Sequence, residues 1–268
     1  MDIFCFKIVR LKINYMNNIS RHGMTYLFTM ALIFTSCSNQ KPFIEKASYM
    51  GWPSTSLGND LVRLQIVPEI GGRVIQYSFD GKDFFFVDSQ LAGKFSPPEG
   101  VGPGNSWLNY GGDKLWPAPQ GRANEEQWAG PPDPILDGSP YTIENLPATN
   151  DDVAIRLTSG EDKRSGIQFS RIISLSGGST HVSFQATMKN IDNKPRRWGI
   201  WSHTQLDGGT ADGKGINTDL YAYCPINPRS HFPKGYNVMQ GDEKNPSFQA
   251  DTTSGLMPVS YTHLRAHE

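Results

Sequence analysis

Apolar residues recur at every second position through much of this chain, and each such run is closed by glycine, proline or an Asp-Gly step. Leu64 and Ile66 alternate with Arg63 and Gln65, and Ile75, Tyr77 and Phe79 alternate with Gln76 and Ser78. The pattern returns at Val153, Ile155 and Leu157, at Ile167, Phe169 and the Ile172-Ile173 pair, and at Val182, Phe184, Ala186 and Met188. A period of two sends successive side chains to opposite faces, so each run predicts a half-buried strand. Asp80-Gly81 and Gly177-Gly178 predict hairpins between such strands, and Gly71-Gly72 marks a tight turn that calls for positive φ. A further strand is expected from Arg196 to about Leu206. Closely spaced strands, with no convincing helical period after the N-terminal segment, predict an all-β fold, an antiparallel β-sandwich, over residues 48–257.

From Ser89 to Pro140 the period disappears and Gly, Pro, Trp and Asn take over, a long stretch to leave without regular structure unless it serves a site. It carries Trp107, Asn109, Tyr110, Asp113, Lys114, Trp116, Gln120, Arg122 and Trp128. Indole faces stack on the C–H surface of sugars, and Asp, Asn and Arg direct hydrogen bonds at hydroxyls, so this stretch is the candidate carbohydrate site. Trp107 and Trp116 can equally plug an open edge of the sandwich, with Asp113-Lys114 a solvated pair. Arg73 can reach the same face or serve as a salt-bridge partner.

At the N-terminus, MTYLFTMALIFTSC from Met24 has the length of a signal-peptide apolar region and is too short for a membrane span. Phe34-Thr35-Ser36-Cys37 resembles a bacterial lipobox, with Phe34 in place of the usual Leu, which makes Cys37 the expected lipidation site. An ordinary signal peptide or a buried helix ending in an incidental Cys is the plainer alternative. Residues 1–36 then form an upstream extension plus signal peptide, and 37–47 a polar tether. The expected product is an exported lipoprotein held at a membrane through Cys37. Residues 258–268 resemble translated sequencing-adapter read-through and are expected to be a non-native tail.

With 25 Lys plus Arg against 26 Asp plus Glu, the net charge of -1 gives no attraction for a polyanion, and no nucleic-acid partner is expected. Arg196-Arg197 reads as a solvated strand entrance. The segment Gly209 to Gly215 lacks the strand and helix of a phosphate loop, and there is no GxSxG elbow. His263 and His267 are four residues apart without a third ligand, so neither metal nor cofactor is expected.

Three segments, EIGGRVIQYSFDGKDFFF (Glu69 to Phe86), NYGGDKLWPAPQG (Asn109 to Gly121) and MKNIDNKPRRWGIWSHTQL (Met188 to Leu206), resemble the galactose-mutarotase-like superfamily. More narrowly, they resemble a branch of exported bacterial proteins of unknown function. The resemblance covers most of Leu57 to Leu206 and implies a supersandwich, truncated at the C-terminus. It implies His203 as a catalytic acid, although a strand-end His can instead be hydrogen-bonded to a loop. No position corresponds to the family's Glu base, Tyr110 replaces its loop His, and Thr204-Gln205 replaces an aromatic pair. The expectation is a carbohydrate-binding domain of aldose 1-epimerase-like type. A glycan-binding lipoprotein without catalysis, or a glycoside lyase or hydrolase on a related sandwich, is the alternative.

Overall fold

A computed structural model describes residues 5–6, 41–95, 107–149, 151–210, 215–236, 250–251 and 253–260. Cys37, the signal segment, and His263 with His267 lie outside them. In chain order the strands are β1 (Cys5–Phe6), β2 (Phe43–Tyr49), β3 (Trp52–Gly58), β4 (Val62–Val67), β5 (Arg73–Phe79), β6 (Lys82–Asp83) and β7 (Asp113–Ala118). They continue with β8 (Thr142–Asn145), β9 (Asp152–Thr158), β10 (Ile167–Ser176), β11 (Val182–Asn190), β12 (Gly199–Thr204), β13 (Tyr221–Pro225) and β14 (Leu256–Ser260). One sheet has the order β12-β7-β5-β4-β3-β2 with β6 on β5, the other β1-β11-β10-β9-β8, and β13 pairs with β14 alone. Both large sheets are antiparallel, and they pack face to face as an all-β sandwich. The strand β2 begins inside the stretch expected as a tether, and β14 runs into the stretch expected as a tail.

The period-two runs supply the core. Val153, Ile155, Leu157, Ile167, Phe169, Ile173, Leu175 and Val182 from the smaller sheet meet Leu57, Val62, Leu64, Ile66, Val74 and Leu115 from the larger. Both hairpins form: Gly177-Gly178 joins β10 to β11, and Asp80-Gly81, with φ of 51° and 70°, joins β5 to β6.

Ile75 departs from its expected partners. Gln65 pairs with Gln76 but Ile66 pairs with Val74, so Ile75 is an extra residue in β5. Such a bulge reverses the facing of everything beyond it. Tyr77 and Phe79 pack on the core between the sheets, whereas Ile75 joins Trp52, Val67, Ile70 and Tyr110 in a second apolar cluster.

The long aperiodic stretch contains a strand. β7 lies between β5 and β12, and its residues Asp113 to Pro117 are all buried. A strand covered on both faces has no hydrophilic side to alternate with, which removes the sequence signal. Asp113 points into the sandwich, where it accepts hydrogen bonds from the Arg171 guanidinium of β10 and the Thr204 hydroxyl of β12. Arg171 occupies a core-facing position between Phe169 and Ile173 and lies over the Phe184 ring at 4.2 Å. The ion pair thus joins the two sheets through their interior, and Asp113 is not a solvated residue.

Gly71 and Gly72 take φ of 80° and 61°, as their turn requires. A Cβ on Gly71 would also lie 2.2 Å from the Asp137 carbonyl oxygen, so the absent side chain lets a later loop close against the turn. Gly178 has φ of 65° but nothing within 4 Å of its Cβ position. Both substitutions incur left-handed strain, and only one adds a backbone collision. Gly178→Ala is expected to lower the unfolding free energy by roughly 1 kcal/mol and Gly71→Ala by roughly 3 kcal/mol or more. Equal losses in urea denaturation would contradict the close approach.

Candidate functional site

Alternation along β7 and β12 assigns their side chains to two faces. Thr204 pairs with Asp113 toward the interior, while His203 pairs with Lys114 and Trp201 with Trp116 on the outer face of the larger sheet. There the aromatic rings form one cluster. His203 stacks on Trp116 with centroids 4.5 Å apart and planes 22° apart, and Trp201 meets both rings edge-on. Trp107 and Trp128 approach Trp116 at 5.7 and 5.2 Å. Trp116 and Trp128 are buried, whereas Trp107, Trp201 and His203 are partly exposed.

The loop between Trp128 and Tyr141 brings two carboxylates under these rings. Asp133 accepts the Trp128 Nε1–H at 2.7 Å and the backbone N–H of Ile135 and Leu136, and it pairs with Arg164. Burial pushes the Asp133 carboxyl above its ordinary value, against those hydrogen bonds.

Asp137 collects more. Its Oδ1 accepts from Arg73 Nη2 at 2.8 Å and Trp116 Nε1 at 2.9 Å, its Oδ2 accepts from Trp107 Nε1 at 2.7 Å, and Lys114 Nζ lies 3.6 Å away. Burial alone would raise this carboxyl, but Arg73, Lys114 and the two indole donors hold it below the usual carboxylate range. Arg73 is 0% exposed and spends its remaining donors on the carbonyls of Ile70 at 2.9 Å and Gly111 at 3.1 Å.

Lys114 is 2% exposed, and its ammonium sits over the rings of Trp107 at 4.4 Å and Trp116 at 4.3 Å. Burial, and then repulsion from Arg73, push its pKa well below the ordinary lysine value despite Asp137. Two cations therefore share one carboxylate beneath an aromatic wall. Two amide oxygens on adjoining segments, Asn109 Oδ1 and Gln205 Oε1, are buried with no hydrogen-bond partner among the described residues. Those segments are joined by the Gln205 backbone N–H donating to Gly112 O at 2.9 Å.

Of the residues expected at a site, the structure brings Arg73, Lys114, Trp116 and His203 together, with Trp107 above them and Asn109 on the adjoining loop. Asp113 turns inward to Arg171. Tyr110 is 1% exposed and packs edge-on against Trp52 at 6.0 Å, as part of the second apolar cluster. Trp128 supports the wall from behind, bonded to Asp133. Gln120 and Arg122 lie in an exposed segment, where the Gln120 side chain packs at Gly130. Asp137 and Trp201 belong to the cluster and were not anticipated. Trp201 was findable, since it stands two residues before His203 on one strand face. Asp137 was not, because its aperiodic loop gives no sign of which carboxylate turns inward. A depression of about 420 Å³ lined by Asn124, Glu125, Glu126, Lys194 and Arg196 contains none of these residues.

Fold and site together define an antiparallel β-sandwich protein with an indole-walled, charge-floored face on its larger sheet. The chain belongs to the family described as a domain of unknown function, DUF4380, whose model matches residues 54–212 and so spans every residue of this face. No curated protein matches the sequence. A solved structure similar to it, a TPR-domain containing protein from Parabacteroides distasonis ATCC 8503, is 17% identical with a TM-score of 0.41. That match covers 66% of this chain and 24% of the other, so this chain spans under a quarter of that structure's length.

Removing the Asp137 charge would leave Arg73 and Lys114 buried without a counterion. Asp137→Asn is expected to cost roughly 3–5 kcal/mol in urea denaturation, and adding Lys114→Met should recover part of it. Because the folded carboxyl is held below its ordinary value of 3.8, its contribution is present at neutral pH and is lost as pH falls through that lowered value. An acid titration in which Asp137→Asn follows the wild-type slope would contradict this assignment.

Proposed function

We propose that this protein binds carbohydrate on the outer face of its larger sheet. The observation that carries the reading is that this face presents partly exposed rings, Trp107, Trp201 and His203, and that adjoining segments hold two buried amide oxygens, Asn109 Oδ1 and Gln205 Oε1, without a donor among the described residues. A buried acceptor without a donor costs free energy, and a hydroxylated ligand would recover it while packing its C–H face on the indoles. The resemblance of the GGR, NYGG and WSHT segments to galactose-mutarotase-like proteins supports the same assignment.

The reading is of recognition rather than mutarotation. Ring opening needs a base to take the anomeric proton while an acid protonates the ring oxygen. His203 can serve as the acid, but of the two carboxylates under these rings Asp137 is held by Arg73 and two indoles with its basicity lowered, and Asp133 is committed to Arg164, the Trp128 N–H and two backbone N–H groups. With the lipobox-like segment ending at Cys37, the proposal extends to an exported lipoprotein that holds this face near a membrane surface.

Titrating the full chain with a panel of mono- and oligosaccharides should change its tryptophan fluorescence. Trp107→Ala and Trp201→Ala are each expected to weaken binding about tenfold, and Arg122→Ala to leave it unchanged. A panel without any binder would overturn the reading. For the anchor, radiolabelled palmitate is expected to enter the wild-type chain and not Cys37→Ser, whereas unchanged labelling of the variant would refute lipidation there.

A further inference from the structure

The charges on the sugar-binding face do not balance. Among the described residues, Arg73 and Lys114 both pair with Asp137, while Asp113, the other carboxylate close to Lys114, is taken by Arg171 on the opposite side of the strand. Arg73 has the better geometry, at 2.8 Å with two carbonyls satisfying its other nitrogens. Lys114 is left with a contact of 3.6 Å, two indole faces, and no hydrogen-bond partner for Nζ among the described residues. An ammonium that is 2% exposed and has only a long contact to a carboxylate it shares with Arg73 is costly to maintain, and neither indole ring offers it a lone pair.

The position of Lys114 gives that excess charge a direction. It stands opposite His203 across the β7–β12 pair, where side chains on one face are direct neighbours. His203 and Trp107 are both partly exposed, so a ligand resting on them lies one side chain away from the ammonium.

Resting on the carbohydrate reading above, we propose that the ligand is an acidic sugar, a uronic acid residue. Its carboxylate would be received by Lys114 beside His203, and its ring would pack on Trp107 and Trp201. The carboxylate would supply the counterion that Asp137 gives mainly to Arg73, and the hydroxyls would donate to Asn109 and Gln205. Burial and repulsion from Arg73 disfavour the charged form of Lys114, and a carboxylate received beside it would favour that form.

Matched pairs differing only at C6 isolate the charge. Galacturonate and glucuronate oligomers, and the neutral galactose and glucose oligomers of equal length and linkage, would be titrated into the full chain by tryptophan fluorescence at two salt concentrations. The expected result is at least about tenfold tighter binding of the uronate in each pair, weakening as salt is added. Lys114→Met should reduce that preference to within about twofold, and Lys114→Arg should retain it. Equal affinity within each pair would overturn the acidic ligand and leave carbohydrate recognition standing. No binding by any sugar would overturn both. A uronate preference that survives Lys114→Met would overturn the role of Lys114, and the wild-type comparison decides the charge preference even if that variant does not fold.

Discussion

The carboxylate of Asp137 is the point on which the larger sheet's outer face depends. It lies under the strands yet binds the guanidinium of β5 and the indole N–H groups of Trp107 and Trp116, with the β7 ammonium at longer range. A buried charge tolerates this position only when donors surround it, and the same donors then have a fixed place. Arg73, the two indoles and the loop carrying Asp137 are therefore mutually positioned. Gly71 is part of the arrangement, since any side chain there would meet the backbone of Asp137 itself.

One strand carries both ionic centres. Along β7, Asp113 faces inward to Arg171 and Thr204, and Lys114 faces outward to the aromatic wall. Adjacent residues of opposite charge type thus serve opposite faces of a sheet. The interior pair clamps β7 and β12 to β10. That clamp keeps Trp201 and His203 level with Trp116 and Lys114, which is what makes a continuous ring surface out of two strands.

What could be read from the sequence followed from water. Strands with one wet face, such as β9 and β10, leave a period of two, and their turns leave glycine or Asp-Gly. β7 leaves none, because both faces are covered, so a site strand reads as loop. Ile75 reads as sharing a face with Tyr77 and Phe79 because a one-residue bulge has no signature in alternation alone. At the site, residue type singles out Arg73, Lys114, Trp116 and His203, which the structure brings together. It could not say that Asp113 turns into the sandwich while Tyr110 and Trp128 are buried behind the outer face, since that depends on which side of a strand or loop each occupies. Asp137 was invisible for the same reason.

The most direct test of a sugar site on this face uses the six tryptophans as separate reporters. Their indole N–H signals can be resolved by NMR on the ¹⁵N-labelled full chain and assigned by single Trp→Phe substitutions. On adding uronate oligomers, the Trp107 and Trp201 signals are expected to move first and furthest, while Trp52, in the second apolar cluster, stays in place. Shifts confined to Trp52 or Trp198, with Trp107 and Trp201 unmoved at saturating sugar, would contradict the site.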